Sequence, residues 1–128
     1  MVAWNNFDTL KSYKDLTENT KKVNLAEVMS GDNGADRVKN YSIPMGAGLV
    51  YNYAAKAVDD EVIDKLATLA EEAQLTDKYA ALYNGEVINT GEKRLVLHQL
   101  TRGQLGDAVT ADGVDKRAFY VEQQQRIA

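Results

Sequence analysis

Gly85-Glu86-Val87-Ile88-Asn89-Thr90-Gly91-Glu92-Lys93-Arg94-Leu95-Val96-Leu97-His98-Gln99-Leu100-Thr101-Arg102 contains the chain's only histidine. Asn89 is followed three residues later by Glu92, just ahead of an apolar stretch. This capping-box spacing predicts a helix beginning near Thr90. On that helix Arg94, His98 and Arg102 recur every fourth residue and share one face. Two permanent cations beside a titratable imidazole suit an anion, either a carboxylate inside the fold or a phosphate outside it.

Upstream of this run the pattern is mostly helical. Asn5 or Asn6 is placed to cap a first helix with Phe7, Leu10 and either Tyr13 or Lys14 on one side and Trp4 as a staple. Asn24 and Glu27 repeat the capping-box signal, and Leu25, Val28 and Met29 form a small apolar face before a loop at Ser30-Gly31-Asp32-Asn33-Gly34. Val38 to Ile43 and Leu49 to Tyr53 are rich in β-branched and aromatic residues and flank Pro44-Met45-Gly46-Ala47-Gly48, which predicts a hairpin. Leu49, Tyr51 and Tyr53 then face one side and Val50, Asn52 and Ala54 the other.

Asp59-Asp60-Glu61 complements a helix N-terminus, after which Val62, Leu66, Leu69 and Ala73 trace one stripe. Thr76 or Asp77 opens another helix, with Tyr79, Leu82 and Tyr83 as candidates for burial and Asn84-Gly85 as terminator. Downstream, Gly103, Gly106 and Asp112-Gly113 bracket Ala108-Val109-Thr110, a second small hairpin, and a final helix starts near Asp115. The fold class expected is α+β, predominantly helical with two small hairpins. No repeat, linker or composition shift divides residues 1–128, so a single domain or fragment is expected.

Composition narrows the functions. A content of 45% apolar and 27% charged residues is that of an ordinary globular chain. A net charge of −4 argues against general nucleic-acid or anionic-membrane binding, which needs a basic surface. With no cysteine there is no disulfide framework, thiolate nucleophile or thiolate zinc site. No stretch is long and apolar enough to span a bilayer, and the first residues lack the parts of a signal peptide, so a cytoplasmic location is expected. Gly103-Gln104-Leu105-Gly106 lacks the Lys-Ser/Thr of a P-loop and reads as a turn. The acidic Asp59-Asp60-Glu61 is explained by capping rather than metal binding.

The Gly85 to Arg102 run resembles a signature of the glucose-6-phosphate isomerase family, approximately Gly-Glu-x-Ile-Asn-x-Thr-Glu-x-Arg-Ala-Val-Leu-His-x-Ala-Leu-Arg. Gly85, Glu86, Ile88, Asn89, Glu92, Arg94, Val96, Leu97, His98 and Arg102 match, whereas Gly91, Leu95, Leu100 and Thr101 depart from it. Leu49-Val50-Tyr51-Asn52-Tyr53-Ala54-Ala55-Lys56-Ala57-Val58, with Glu61, Leu66, Leu69-Ala70, Glu72 and Leu75 beyond it, is similar to the family's strand and following helix. Asn52 stands for the usual Asp and Ala54 for the usual Ser.

The resemblance implies the N-terminal segment of a sugar-isomerase-type α/β enzyme that interconverts glucose 6-phosphate and fructose 6-phosphate through an enediol. It implies no metal or organic cofactor, a homodimer, and partners consisting of the remainder of the enzyme chain and the sugar phosphate. The family's catalytic Glu, ring-opening His and Lys and phosphate loops lie in later segments, so no catalytic, cofactor-binding or metal residue is expected in this chain. His98 matches an early-region histidine, and Arg94, His98 and Arg102 are expected as structural support. Two other readings stay open: a free-standing interaction module, or a sugar-phosphate binding protein using the Arg94, His98 and Arg102 face.

Overall fold

The computed structural model describes residues 2–102 and 107–128, the side chain of Asp32 aside. The phosphate-loop question at Gly103 to Gly106 lies outside the described residues. The chain forms two compact units, residues 6–69 and residues 2–5 with 70–128.

The first unit begins with a 3-10 turn at Phe7–Thr9 and helix α1 at Lys11–Glu18. The single first helix expected from the sequence is broken at Leu10, whose extended backbone (φ −78°, ψ 138°) carries its side chain into the core. Asn6 contributes its carbonyl, which accepts from the Thr9 amide and hydroxyl, rather than its side chain. The Phe7 ring stacks on Tyr13 at 6.3 Å. Trp4 belongs to the other unit, where the Lys78 ammonium stands 5.3 Å from its ring.

Asn24 caps α2 at Leu25–Val28 as expected, its Oδ1 accepting from the Glu27 amide. The loop expected next is shorter. Gly31, at φ +67°, redirects the chain and α3 runs over Asp32–Asn40, so Val38 to Asn40 are helical rather than extended. The hairpin then forms from β1 (Ser42–Pro44) and β2 (Val50–Asn52), with Ile43 opposite Tyr51.

Arg37 explains why α3 persists. It is buried, its Nε donates to the Ala54 carbonyl at 2.9 Å, and one terminal nitrogen donates to the carbonyls of Lys56 and Val58. Its guanidinium also lies 4.1 Å from the Tyr41 ring centre. Docking of this helix therefore satisfies three carbonyls of the 53–58 loop, a gain that local propensity does not register.

Helix α4, Asp60–Glu72, is capped by Asp59, whose Oδ1 accepts from the Val62 amide at 2.9 Å. Its sequence stripe is only partly buried within the described structure: Val62 and Ala73 are buried, Leu66 is exposed. Lys65 ties α4 to α1 through Asp15 and to its own first turn through Glu61, both at 3.3 Å. The boundary between the units falls after Leu69.

In the second unit α5 (Leu75–Tyr83) follows a left-handed Gln74, and Ala81 is its buried residue. Leu82 is half-buried, while Tyr79 and Tyr83, expected inside, are exposed. Strands β3 (Thr110–Ala111) and β4 (Val114–Asp115) pair around Asp112-Gly113, both at positive φ, the geometry of a tight primed hairpin turn. Asp115 caps α6 (Lys116–Ile127) by accepting from the amides of Arg117 and Ala118. Among the described residues Leu100 and Val109 are the largest fully buried side chains. The α+β expectation, mainly helical with two small hairpins, holds.

Candidate functional site

The segment 85–102 is not the expected helix. Gly85, at φ +72°, ends α5: its amide donates to Leu82 and the Glu86 amide to Ala81, the paired bonds of a Schellman cap. Farther on, Asn89 and Arg94 exchange backbone bonds at 3.3 and 3.2 Å and close a tight loop, with Lys93 at φ +54°. The Asn89 and Glu92 signal is real but serves this loop. Asn89 Oδ1 accepts from the Glu92 amide at 3.2 Å, and its Nδ2 donates to the Glu92 carboxylate at 3.3 Å.

Burial explains the outcome. Leu95, Val96 and Leu97 are all half-buried, and three consecutive residues 100° apart on a helix cannot share one buried face. Passing through them without helical winding and then forming a 3-10 turn at His98–Arg102 buries Leu100 completely. The Gln99 side chain anchors that turn, its Nε2 donating to the Leu82 carbonyl at 2.9 Å.

Arg94, His98 and Arg102 therefore do not form one helical face. Arg94 leaves the tight loop with its side chain 75% exposed and 3.8 Å from the Glu92 carboxylate. His98 and Arg102 sit exposed at opposite ends of the 3-10 turn, and at 120° per residue positions four apart point in different directions. Arg94 lines a cleft of about 690 Å³ with Lys93, Glu86 and Asp112; His98 and Arg102 do not. Two cations balanced by two carboxylates do not make a strong anion site.

Asp59 of the acidic run is used as a cap. Among the described residues no group of three or more His, Asp or Glu is placed to hold a metal ion. The most structured polar groups are ones that the sequence pattern did not single out: Arg37, and Arg117, buried with its Nε donating to the Asp107 carbonyl at 2.8 Å. Only the fourth-residue spacing of Arg37 and Tyr41 offered a local sign of the former.

Asn52 also has a defined role. Its Nδ2 donates to the Val38 carbonyl at 2.6 Å and its Oδ1 accepts from the Ala54 amide at 3.1 Å. An ionised Asp would lack the donor of the first bond.

The described residues form a mainly helical scaffold with two short antiparallel hairpins. Residues 52–127 match the family model described as phosphoglucose isomerase, and the chain belongs to that family. It is 47% identical to the glucose-6-phosphate isomerase of Treponema denticola, an alignment covering 98% of this chain and 25% of that protein. Identity is 42% to the enzyme of Treponema pallidum and 35% to that of Borreliella afzelii, over 98% and 99% of the chain and 24% and 23% of those proteins. The chain thus spans about a quarter of the length of these relatives.

Proposed function

We propose that this chain is the N-terminal part of an enzyme that interconverts glucose 6-phosphate and fructose 6-phosphate by enediol proton transfer. The observation that carries this is 47% identity over nearly the whole chain to a protein bearing that name. Moving a proton between adjacent carbons needs a base, an acid for ring opening and a pocket for the phosphate dianion. These groups belong to the remaining three-quarters of the polypeptide, and the 128 residues alone are inactive.

Arg94, His98 and Arg102 serve as structural support rather than perform chemistry; their separation in the 85–102 segment speaks against a shared catalytic face. The complete enzyme is a homodimer acting in the cytoplasm, without a metal or organic cofactor. Among the described residues no helix is long and apolar enough to cross a membrane.

The test is interconversion of the two sugar phosphates by the product of the complete reading frame. Turnover is expected there and is absent from the 128 residues. Full-length enzyme that fails to interconvert them removes the proposal. His98→Ala in the active enzyme is expected to keep kcat/KM within about threefold, whereas loss of a general acid or base costs about 100-fold or more.

A further inference from the structure

Three steps in this chain join an asparagine or aspartate to glycine: Asn33-Gly34, Asn84-Gly85 and Asp112-Gly113. Glycine leaves its own amide uncrowded, so at each step that nitrogen can attack the preceding side-chain carbonyl carbon and close a five-membered imide. The three glycines stand in different surroundings. The Gly34 amide donates to the Gly31 carbonyl at 3.3 Å, and a Cβ on this residue of α3 would collide with the Met29 carbonyl oxygen. The Gly85 amide donates to the Leu82 carbonyl at 3.1 Å in the Schellman cap, and Val109 packs against the glycine. Gly113 has neither restraint. Its amide donates to no acceptor among the described residues, and a Cβ there would meet nothing within 4 Å.

Ring closure needs rotation between the Cα and carbonyl carbon of the attacked residue. At Asn33 and Asn84 that rotation breaks the helix or cap hydrogen bonds. At Asp112 it disturbs a hairpin of only two residue pairs, Thr110 with Asp115 and Ala111 with Val114. Asp112 and Gly113 are both exposed, so solvent reaches the turn.

We propose that Asp112 is a site of spontaneous isoaspartate formation in the folded protein, and that helix and cap shield Asn33 and Asn84 from the same chemistry. The Gly113 nitrogen gives up its proton and bonds to Cγ of the neutral Asp112 carboxyl, whose hydroxyl leaves with a proton as water. Water then adds to either imide carbonyl. Addition at Cγ restores aspartate; addition at the former main-chain carbonyl breaks its bond to nitrogen and leaves the chain running through the side-chain methylene. One water is lost and one regained, with no oxidation or reduction. At an asparagine, ammonia leaves in place of the first water. Isoaspartate lengthens the two-residue turn by one backbone carbon, close before Asp115, the residue that caps α6.

Asp112→Asn puts all three steps on equal chemistry, because asparagine tolerates the left-handed φ of +53° and each step then loses ammonia. The full-length variant is held at neutral pH, folded and in urea, while peptide mapping follows aspartate and isoaspartate at positions 33, 84 and 112. Each position is scored as its rate in the folded protein over its own rate in urea. That ratio is expected to be more than about tenfold higher at 112 than at 33 or 84. A smaller difference overturns the proposal, whether the turn shields its own amide, other parts of the polypeptide cover it, or helix and cap fail to protect. The unsubstituted full-length protein supplies a second reading that needs no variant to fold. Absence of isoaspartate at Asp112 in the folded sample, once the urea sample is about half converted, also overturns the proposal. Neither reading uses catalytic activity, so the isomerase assignment stands or falls separately.

Discussion

Gly85 lies so close to Val109 that a Cβ on the glycine would overlap the valine Cγ1. The contact joins the end of α5 to the segment leading into β3, and it involves a fully buried side chain. Gly85 also has a positive φ. The glycine is thus required twice, once by the backbone and once by packing.

Gly85→Ala combines a left-handed alanine, costing about 1–2 kcal/mol, with overpacking worth about 1–3 kcal/mol. A loss of roughly 2–5 kcal/mol is expected in urea unfolding. A change below about 0.5 kcal/mol would show that Val109 does not pack against the Schellman cap.

Lys93→Gly separates the tight loop from a helix by the sign of its effect. In a helix the substitution costs about 1 kcal/mol, whereas at a left-handed residue it is neutral or stabilising by up to about 1 kcal/mol. Lys93 stands at φ +54°, so no loss of stability is expected in thermal or urea unfolding. A clear loss would restore the helical reading of 85–102.

Arg37→Ala leaves three carbonyls of the 53–58 loop without their donor. The Ala54 acceptor is buried and the other two partly so; a stranded buried acceptor costs about 1–3 kcal/mol, and a total loss of about 3 kcal/mol is expected. Arg37→Lys recovers little, because an ammonium cannot reproduce the fork that reaches two directions at once. Equal stability of the lysine variant and the parent would contradict the clamp.

Asp15 and Lys65 give a pH signature. Hydrogen bonding by Asn19, followed by that from Lys65, holds the Asp15 carboxyl below its ordinary value. A depressed folded-state carboxylate contributes stability that is present above the unfolded value and lost as pH falls through the folded one. For Lys65, burial pulls the ammonium down, but hydrogen bonds to Glu61 and Asp15 outweigh it and raise the group above its ordinary value. Its contribution is present below the unfolded value and lost only as strongly alkaline pH is reached. The pair therefore leaves stability unchanged through neutrality and weakens the fold at acid pH. NMR titration of the Asp15 carboxyl should show its midpoint move upward in Lys65→Met; an unmoved midpoint would leave Lys65 without a role there.

Much of this molecule was legible locally. Asn24, Asp59 and Asp115 announce helix starts through side chains that reach amides two or three residues away, and Asp112-Gly113 announces a turn through the φ values those residues tolerate. Such signals depend on near neighbours in sequence, so no knowledge of the rest of the chain is required. Family membership was legible for a related reason, because the spacing of matching residues survives without reference to their contacts.

Tertiary structure decided the 85–102 segment, the length of α3 and the break at Leu10. The Asn89 and Glu92 pair makes the same first hydrogen bond at the start of a helix and in a tight loop, so local chemistry leaves the two alternatives close in energy. Half-burial of Leu95, Val96 and Leu97 in succession and complete burial of Leu100 separate them. Arg37 likewise acquires its role only when the carbonyls 17 to 21 residues away arrive around it. Sequence alone determined where helices and turns begin and which family the chain resembles; burial and long-range hydrogen bonding decided where Arg94, His98 and Arg102 stand.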